Sequence, residues 1–513
     1  MGNTKILDCT LRDGGYYTNW DFDHELVKNY FTAMEVLPID YLEIGYRSKP
    51  LKGYLGEYFY CPKYIFKQAK ELAPSKKIAV ILNEKDCDVT DVEYLLGDLE
   101  NYIDLVRLAV SPSRFDSAIL LAKAIKNKGF RVAFNIMYMS KWVNDTNFFD
   151  NLHQVNGLAD YFYMVDSYGS LYPDQIKEFI KVLKNKINIP LGFHGHNNLE
   201  FAHINTLTAI DSGCEIVDAT ITGMGRGAGN LKTELLLTSL ANNKGLEVSF
   251  NSLSAIVEDF EALQKQYGWG TNLPYMVSGT LSQPQKDVME WITKRAYSIN
   301  SIITALHNKS DNQEDNIQLR IFQSEQNTFN KVLVIGGGTS PKKHLKAIKH
   351  YVNSEPNVCL IHASSKNARA FKSLNCDQYF CLVGNEGYRL QKVLDNDLTD
   401  LKCILPPYPR KMGTFIPNPV KESSYELKEI SFTDRYKDSH FAIALQLALE
   451  LKTKEVYLVG FDGYIDNVSQ KEIELSNENE YLIKKFSKLN IPLVSLTETQ
   501  YSIDTKSIYS FLK

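Results

Sequence analysis

The sequence predicts an α/β protein: a (β/α)8 TIM barrel with a C-terminal helical extension, followed by a second, three-layer Rossmann-like α/β domain. Three observations predict it. Eight short apolar, β-branched runs recur between residues 5 and 223, about 30 residues apart, as expected for strands joined by crossover helices. Eight is also the strand number that closes such a barrel. A second series of similar runs starts at residue 331, after a polar stretch.

In order, the first series reads KILDCTLR (5–12), YLEIGYR (41–47), KIAVILN (77–83), LVRLAV (105–110), RVAFNIMY (131–138), YFYMVDSYG (161–169), PLGFHGHN (190–197) and IVDATITG (216–223). The first run is expected to end as a strand on Arg12 and Asp13 and then turn on Gly14 and Gly15. FDSAILLAKAIKNKG (115–129) exemplifies the helices between runs. SLSAIVEDFEALQKQYG and DVMEWITKRAYSINSIITAL have apolar positions at helical spacing, while HNKSDNQEDNIQ is polar and reads as a linker. The domains are therefore placed at 1–245, 246–307 (helical extension), 308–330 (linker) and 331–513. In the last of these, strands are expected at KVLVIGGG, VCLIHAS, QYFCLVG, KCILPP, EVYLVGFDG and IPLVSLT, with a helix at FAIALQLALELK.

Bulk properties narrow the function classes. Of 513 residues, 44% are hydrophobic and 23% charged, ordinary for a globular chain. A formal charge of −4 gives no basic field for nucleic acid. No apolar run approaches the roughly 20 residues of a membrane span. No secretory pattern opens the chain, so a cytoplasmic location is expected. Eight scattered cysteines, with no CxxC, read as reduced thiols rather than a thiolate zinc site.

A barrel builds its active site at the C-terminal strand ends. His194 and His196 flank Gly195 in the seventh run, and strand period two puts both imidazoles on one face. Asp13 follows the first run, which neighbours them across barrel closure, and Asn230 ends GMGRGAGN after the eighth. Nitrogen and oxygen donors with open positions suit a divalent cation: Mn²⁺ first, or Mg²⁺, Co²⁺ or Zn²⁺. Glu43, Arg47, Asn83, Arg107, Asn135, Asp166 and Ser167 are further strand-end candidates. An ion pair between Arg12 and Glu43 is the structural alternative for Arg12.

LDCTLRDGG, GFHGHNN and GMGRGAGN, in that order, resemble the signature segments of the DRE-TIM metallolyase superfamily, across roughly residues 4–300. That group includes 4-hydroxy-2-oxovalerate aldolases, hydroxymethylglutaryl-CoA lyases, and isopropylmalate and homocitrate synthases. The resemblance implies metal ligation by Asp13, His194, His196 and Asn230. It also implies an Arg12 that holds the enolate oxygen and a Ser167 that contacts the substrate carboxylate; from their strand-end positions, Glu43 and Asn135 are expected as further substrate contacts. It further implies a C–C bond made or broken between a pyruvate-like 2-oxo acid and an aldehyde, and a homo-oligomer. The chain departs from the family where the aldolases place an acid–base histidine after the RDG segment. Here Gly15, Tyr16 and Tyr17 stand there, which leaves Tyr16, Tyr275 or a metal-bound water as proton carrier. Two other readings stand beside this one: a Claisen-type acyl-CoA synthase or lyase, and a non-catalytic binding protein whose second domain does the work.

In the second domain, IGGGTSP follows a strand and opens a helix, a place where backbone amides meet phosphate. With Pro341 at the third glycine position of GxGxxG and no acid ending the next strand, NAD is disfavoured. A plain helix-capping turn through Thr339 or Ser340 is the alternative. The 331–465 stretch resembles the Rossmann-like domain of motility-accessory glycosyltransferases, pterin pyrophosphokinase-like proteins and bacterial sialyltransferases. That implies a nucleotide or nucleotide-sugar near Gly337, Gly338, Ser340 and Asp462, and a role in carbohydrate or surface-polysaccharide synthesis.

Overall fold

Strands covered by helices on one face and by the barrel interior on the other are buried on both, so they read as apolar runs rather than alternating ones. Eight such strands close in sequence order into one parallel barrel: β1 (Lys5–Asp8), β2 (Tyr41–Tyr46), β3 (Lys77–Asn83), β4 (Leu105–Val110), β5 (Val132–Ile136), β6 (Tyr161–Asp166), β7 (Leu191–Gly195) and β8 (Ile216–Ala219). Closure pairs Lys5 with Ile216 and Asp8 with Ala219. The computed structural model describes residues 4–293, 299–311, 317–324, 329–410, 413–464 and 470–512. Parts of the expected helical extension (294–298) and linker (312–316, 325–328) lie outside them.

One element differs from expectation, and it carries the site. β1 ends at Asp8, and residues Thr10–Thr18 form a helix, α1, that contains Arg12, Asp13, Gly14 and Gly15. The Asp8 carboxylate stops the strand: it accepts the Thr10 amide (2.9 Å) and the hydroxyls of Tyr30 and Thr233 (2.7 Å each). The glycines are there for space, not for a turn. A Cβ on Gly14 would come 2.5 Å from the sulfur of Met224, and one on Gly15 would overlap the Trp20 indole. Trp20 donates from Nε1 to the Arg12 carbonyl (2.8 Å), locking the helix from outside.

The chain divides into two compact units, Met1–Val288 and Met289–Lys513. Helices Phe250–Tyr267 and Leu273–Thr280 of the expected extension belong to the first unit. In the second, β9 (Lys331–Ile335), β10 (Val358–His362), β11 (Gln378–Cys381), β12 (Lys402–Leu405), β13 (Ser424–Glu426), β14 (Glu455–Val459), β15 (Leu493–Ser495) and β16 (Asp504–Thr505) form a sheet of order β13-β12-β11-β10-β9-β14-β15-β16. Every pair is parallel. Alternate residues of β9 serve opposite faces: Val332 and Val334 pack with the helix His440–Glu450, Leu333 and Ile335 with Leu345–Ser354. That is a three-layer arrangement.

Candidate active site

Asp13, His194 and Asn230, three of the residues singled out by sequence, meet at the C-terminal mouth of the barrel, with the His196 ring beside that of His194. Asp13 comes from α1, His194 from β7, His196 from just after β7, and Asn230 from the loop after β8. That loop is tied to the β7 exit by backbone bonds, Asn197 N–H to Gly229 O (2.9 Å) and Leu231 N–H to Gly195 O (3.3 Å), and His196 and Asn230 form an antiparallel bridge. Gly225 leaves the room: a Cβ there would lie 2.5 Å from Asn230 Nδ2. Asn230 Nδ2 donates to Asp13 Oδ2 (2.7 Å), and His194 Nε2 lies 3.7 Å from the same oxygen. The two imidazole centroids are 5.0 Å apart.

Each imidazole is oriented from behind. His194 Nδ1 meets Asp218 Oδ2 at 2.8 Å, and His196 Nδ1 meets the Asp166 carbonyl at 2.9 Å. An N–H at Nδ1 on each ring leaves Nε2 as the lone-pair nitrogen, the tautomer a metal ligand needs. Burial and then the neighbouring His194 push His196 down to about 3, so its ring is neutral. Burial works to raise the Asp13 carboxyl, but the Arg12 guanidinium and the Asn230 amide hold it below the usual carboxylate range. Among the described residues Asn230 Oδ1 is buried without a hydrogen-bond partner, a cost for a polar oxygen that a bound cation would offset. This donor set fits a hard or borderline divalent ion. Cys9, His194 and Asp218 also place ligand atoms within 4.8 Å of one another. Burial pushes the Cys9 thiol well up, however, and Asp218 Oδ2 already serves both Arg107 and His194. We read that trio as scaffold.

Beneath the mouth runs a chain of buried charges. Arg12 pairs with Asp13 and through Nε with Glu43; Arg107 donates to Glu43 Oε2 (2.8 Å), Asn135 Oδ1 (3.1 Å) and Asp218 Oδ2 (2.5 Å) and lies 4.2 Å over the Tyr163 ring. Arg107 engages both Glu43 and Asn135, and through Glu43 it braces Arg12. The Arg12–Glu43 pair exists, and it presents Arg12 at the mouth beside Asp13. Ser167 Oγ accepts the Tyr138 amide (2.8 Å) and so shapes the loop after β5. Tyr16 Oη lies 3.0 Å from Tyr46 Oη, and Tyr275 packs beside Gly227 with its phenol raised by burial. Sequence reasoning missed Asp218. An acid inside the apolar run IVDA was the available signal.

In the second unit, a crevice of about 920 Å³ opens where strand order reverses between β9 and β14, lined by Gly336–Gly338, Lys366, Arg389, His440 and Asp462 among others. Ligands bind at such switch points in open α/β sheets. Gly337, Gly338 and Asp462 line it. The Thr339 and Ser340 amides donate to Asp462 Oδ2 (2.7 and 3.0 Å), so the chain's own carboxylate occupies the helix start expected to hold phosphate.

Comparison with known proteins agrees with this geometry. The HMGL-like family model matches residues 107–258. The 4-hydroxy-2-oxovalerate aldolase of Pectobacterium atrosepticum is 31% identical over 238 residues, 45% of this chain and 68% of that protein. The oxaloacetate decarboxylase of Mycobacterium tuberculosis is 27% identical over 236 residues, 46% and 69%. A solved structure, the N-terminal domain of a candidate aldolase from Bacteroides vulgatus, is 52% identical with a TM-score of 0.56, covering 59% of this chain and 99% of that one.

Proposed function

The chain belongs to the HMGL-like family that includes the 4-hydroxy-2-oxovalerate aldolases, and from that premise we propose a divalent-metal-dependent aldolase. It joins, or cleaves, a pyruvate-like 2-oxo acid and an aldehyde. It is a carbon–carbon lyase, as its relatives are named. The observation that carries the reading is the meeting of Asp13, His194 and the unpaired Asn230 Oδ1 in the barrel mouth.

Asp13, His194, His196 and Asn230 are the residues that would hold the cation, Mn²⁺ first among candidates. When bound, a divalent ion supplies Lewis acidity toward the 2-oxo acid, worth several kcal/mol. Arg12, braced by Glu43, directs a charge-assisted donor at the developing oxyanion, worth roughly 1.5–3 kcal/mol. Tyr16 Oη, paired with Tyr46 Oη, passes the proton that the family's missing histidine would carry. Tyr275 closes the wall against the glycine loop. In the second unit, the switch-point crevice supports a nucleotide or nucleotide-sugar ligand, and with it a place in carbohydrate or surface-polysaccharide synthesis.

The test is proton exchange. The Mn²⁺-loaded protein in D₂O is expected to exchange the methyl protons of pyruvate, followed by NMR, and Asp13→Ala to abolish the exchange. Exchange that is absent in the wild type, or unchanged in Asp13→Ala, defeats the proposal. Release of free thiol from an acyl-CoA would favour Claisen chemistry instead.

A further inference from the structure

Resting on the aldolase reading, we propose that Arg226 and Lys141 form a subsite for a carboxylate or phosphate carried by the acceptor aldehyde, so that the enzyme selects anionic aldehydes over neutral ones. Arg226 lies in the loop after β8, four residues before Asn230, and is half-buried. Its guanidinium sits 3.9 Å from the centroid of the Tyr16 ring. Among the described residues it has no carboxylate and no hydrogen-bond acceptor. Arg12 and Arg107, by contrast, are paired with acids. Lys141, in the turn after β5, lies 5.0 Å over the Tyr168 ring and likewise has no acidic partner among the described residues.

Tyr138 joins the two cations. Its ring packs 5.5 Å from that of Tyr168, and while burial raises its phenol, Arg226 and Lys141 pull it the other way. Its backbone is left-handed at φ 61°, held there by the Ser167 hydroxyl. A non-glycine residue persists in that region only where its surroundings over-determine it, commonly at a functional site. An unpaired guanidinium on an aromatic platform is suited to a planar, bidentate oxyanion. Tyr16 is three residues from Asp13 on α1, so the residue whose ring underlies Arg226 stands about one helical turn along that helix from Asp13.

The test uses the full chain loaded with Mn²⁺ and two matched pairs of aldehydes: succinic semialdehyde against butanal, and glyceraldehyde 3-phosphate against glyceraldehyde. At least one charged member is expected to exceed its neutral partner about 10- to 100-fold in kcat/KM. The preference should collapse toward one in Arg226→Gln, fall less in Lys141→Gln, and be partly kept in Arg226→Lys. The carboxylate and phosphate pairs decide which anion is preferred. Calorimetric titration with glycerol 3-phosphate and with 4-hydroxybutyrate gives a readout independent of turnover. The expected result is binding of one of them that Arg226→Gln weakens at least about tenfold. Neutral aldehydes turned over as well as charged ones, or anion binding that Arg226→Gln leaves intact, overturns the subsite. Failed pyruvate exchange alongside Arg226-dependent anion binding would defeat the aldolase reading alone.

Discussion

Glu43 shows why single residues of this site are not interchangeable. Its two oxygens are divided between Arg12 and Arg107, and it has no solvent to turn to. A buried ion pair adds little net stability, but removing one partner strands a buried charge at a cost of about 3–5 kcal/mol. Here Arg12 keeps Asp13 and Arg107 keeps Asp218, so Glu43→Gln strands no cation; it is expected to cost about 1.5–3 kcal/mol in urea unfolding through the weakened charge-assisted bonds, and to slow catalysis by loosening Arg12. A loss of well under 1 kcal/mol would contradict the network. Asn230 acts differently. Its oxygen is unpaired and its amide holds Asp13, so Asn230→Ala is expected to weaken Mn²⁺ binding by about 10- to 100-fold in calorimetry, with little change in fold. Tyr16→Phe removes the hydroxyl that carries the proton in our scheme. Its kcat is expected to fall about 10²- to 10⁴-fold with metal affinity unchanged.

Among elements, β10 offers a pH-dependent test in the unit that does not contain the metal cluster. His362 at its end is fully buried, stacked on Phe380, with Nε2 bonded to Gln378 Oε1 (2.9 Å) and Nδ1 without a partner among the described residues. Protonation would bury an N–H with no acceptor, and burial accordingly pushes this imidazole down from 6.5 to about 4. A depressed folded value means that the unfolded chain binds the extra proton first. The stability is thus intact above pH 6.5 and is lost as pH falls toward 4, by about 3 kcal/mol in full. Against His362→Phe, the wild type is expected to lose stability more steeply across that window in urea titrations of the full chain. Parallel pH profiles would refute the assignment. The loop after β8 makes a second elemental prediction. Gly225→Ala must displace Asn230 Nδ2, and is expected to weaken metal binding without unfolding the barrel.

At the scale of the molecule, the apolar clusters of Met1–Val288 and of Met289–Lys513 each close within their own unit. A ligand that binds one folded unit stabilises that unit by mass action, by about 2.7 kcal/mol at a hundredfold excess over Kd. Scanning calorimetry is expected to show one transition that Mn²⁺ raises and EDTA lowers, and another that neither moves. A single transition that shifts as a whole would argue against independent cores. The sequence by itself determined the eight barrel strands and six of those in the second sheet, because strands buried on both faces must be apolar throughout; the runs at 77–83 and 105–110 match β3 and β4 residue for residue. It also singled out Asp13, His194, His196 and Asn230, because chemistry at strand ends breaks an apolar pattern visibly. The short edge strands β13 and β16 carry too few residues to signal themselves. Only the tertiary structure decided that Arg12 and Asp13 ride on a helix, since Asp8 ends the strand through partners as distant as Thr233. Only it decided that Arg107 binds Asp218 across 111 residues of chain, because which buried charges neutralise one another is set by barrel closure and not by any local spacing.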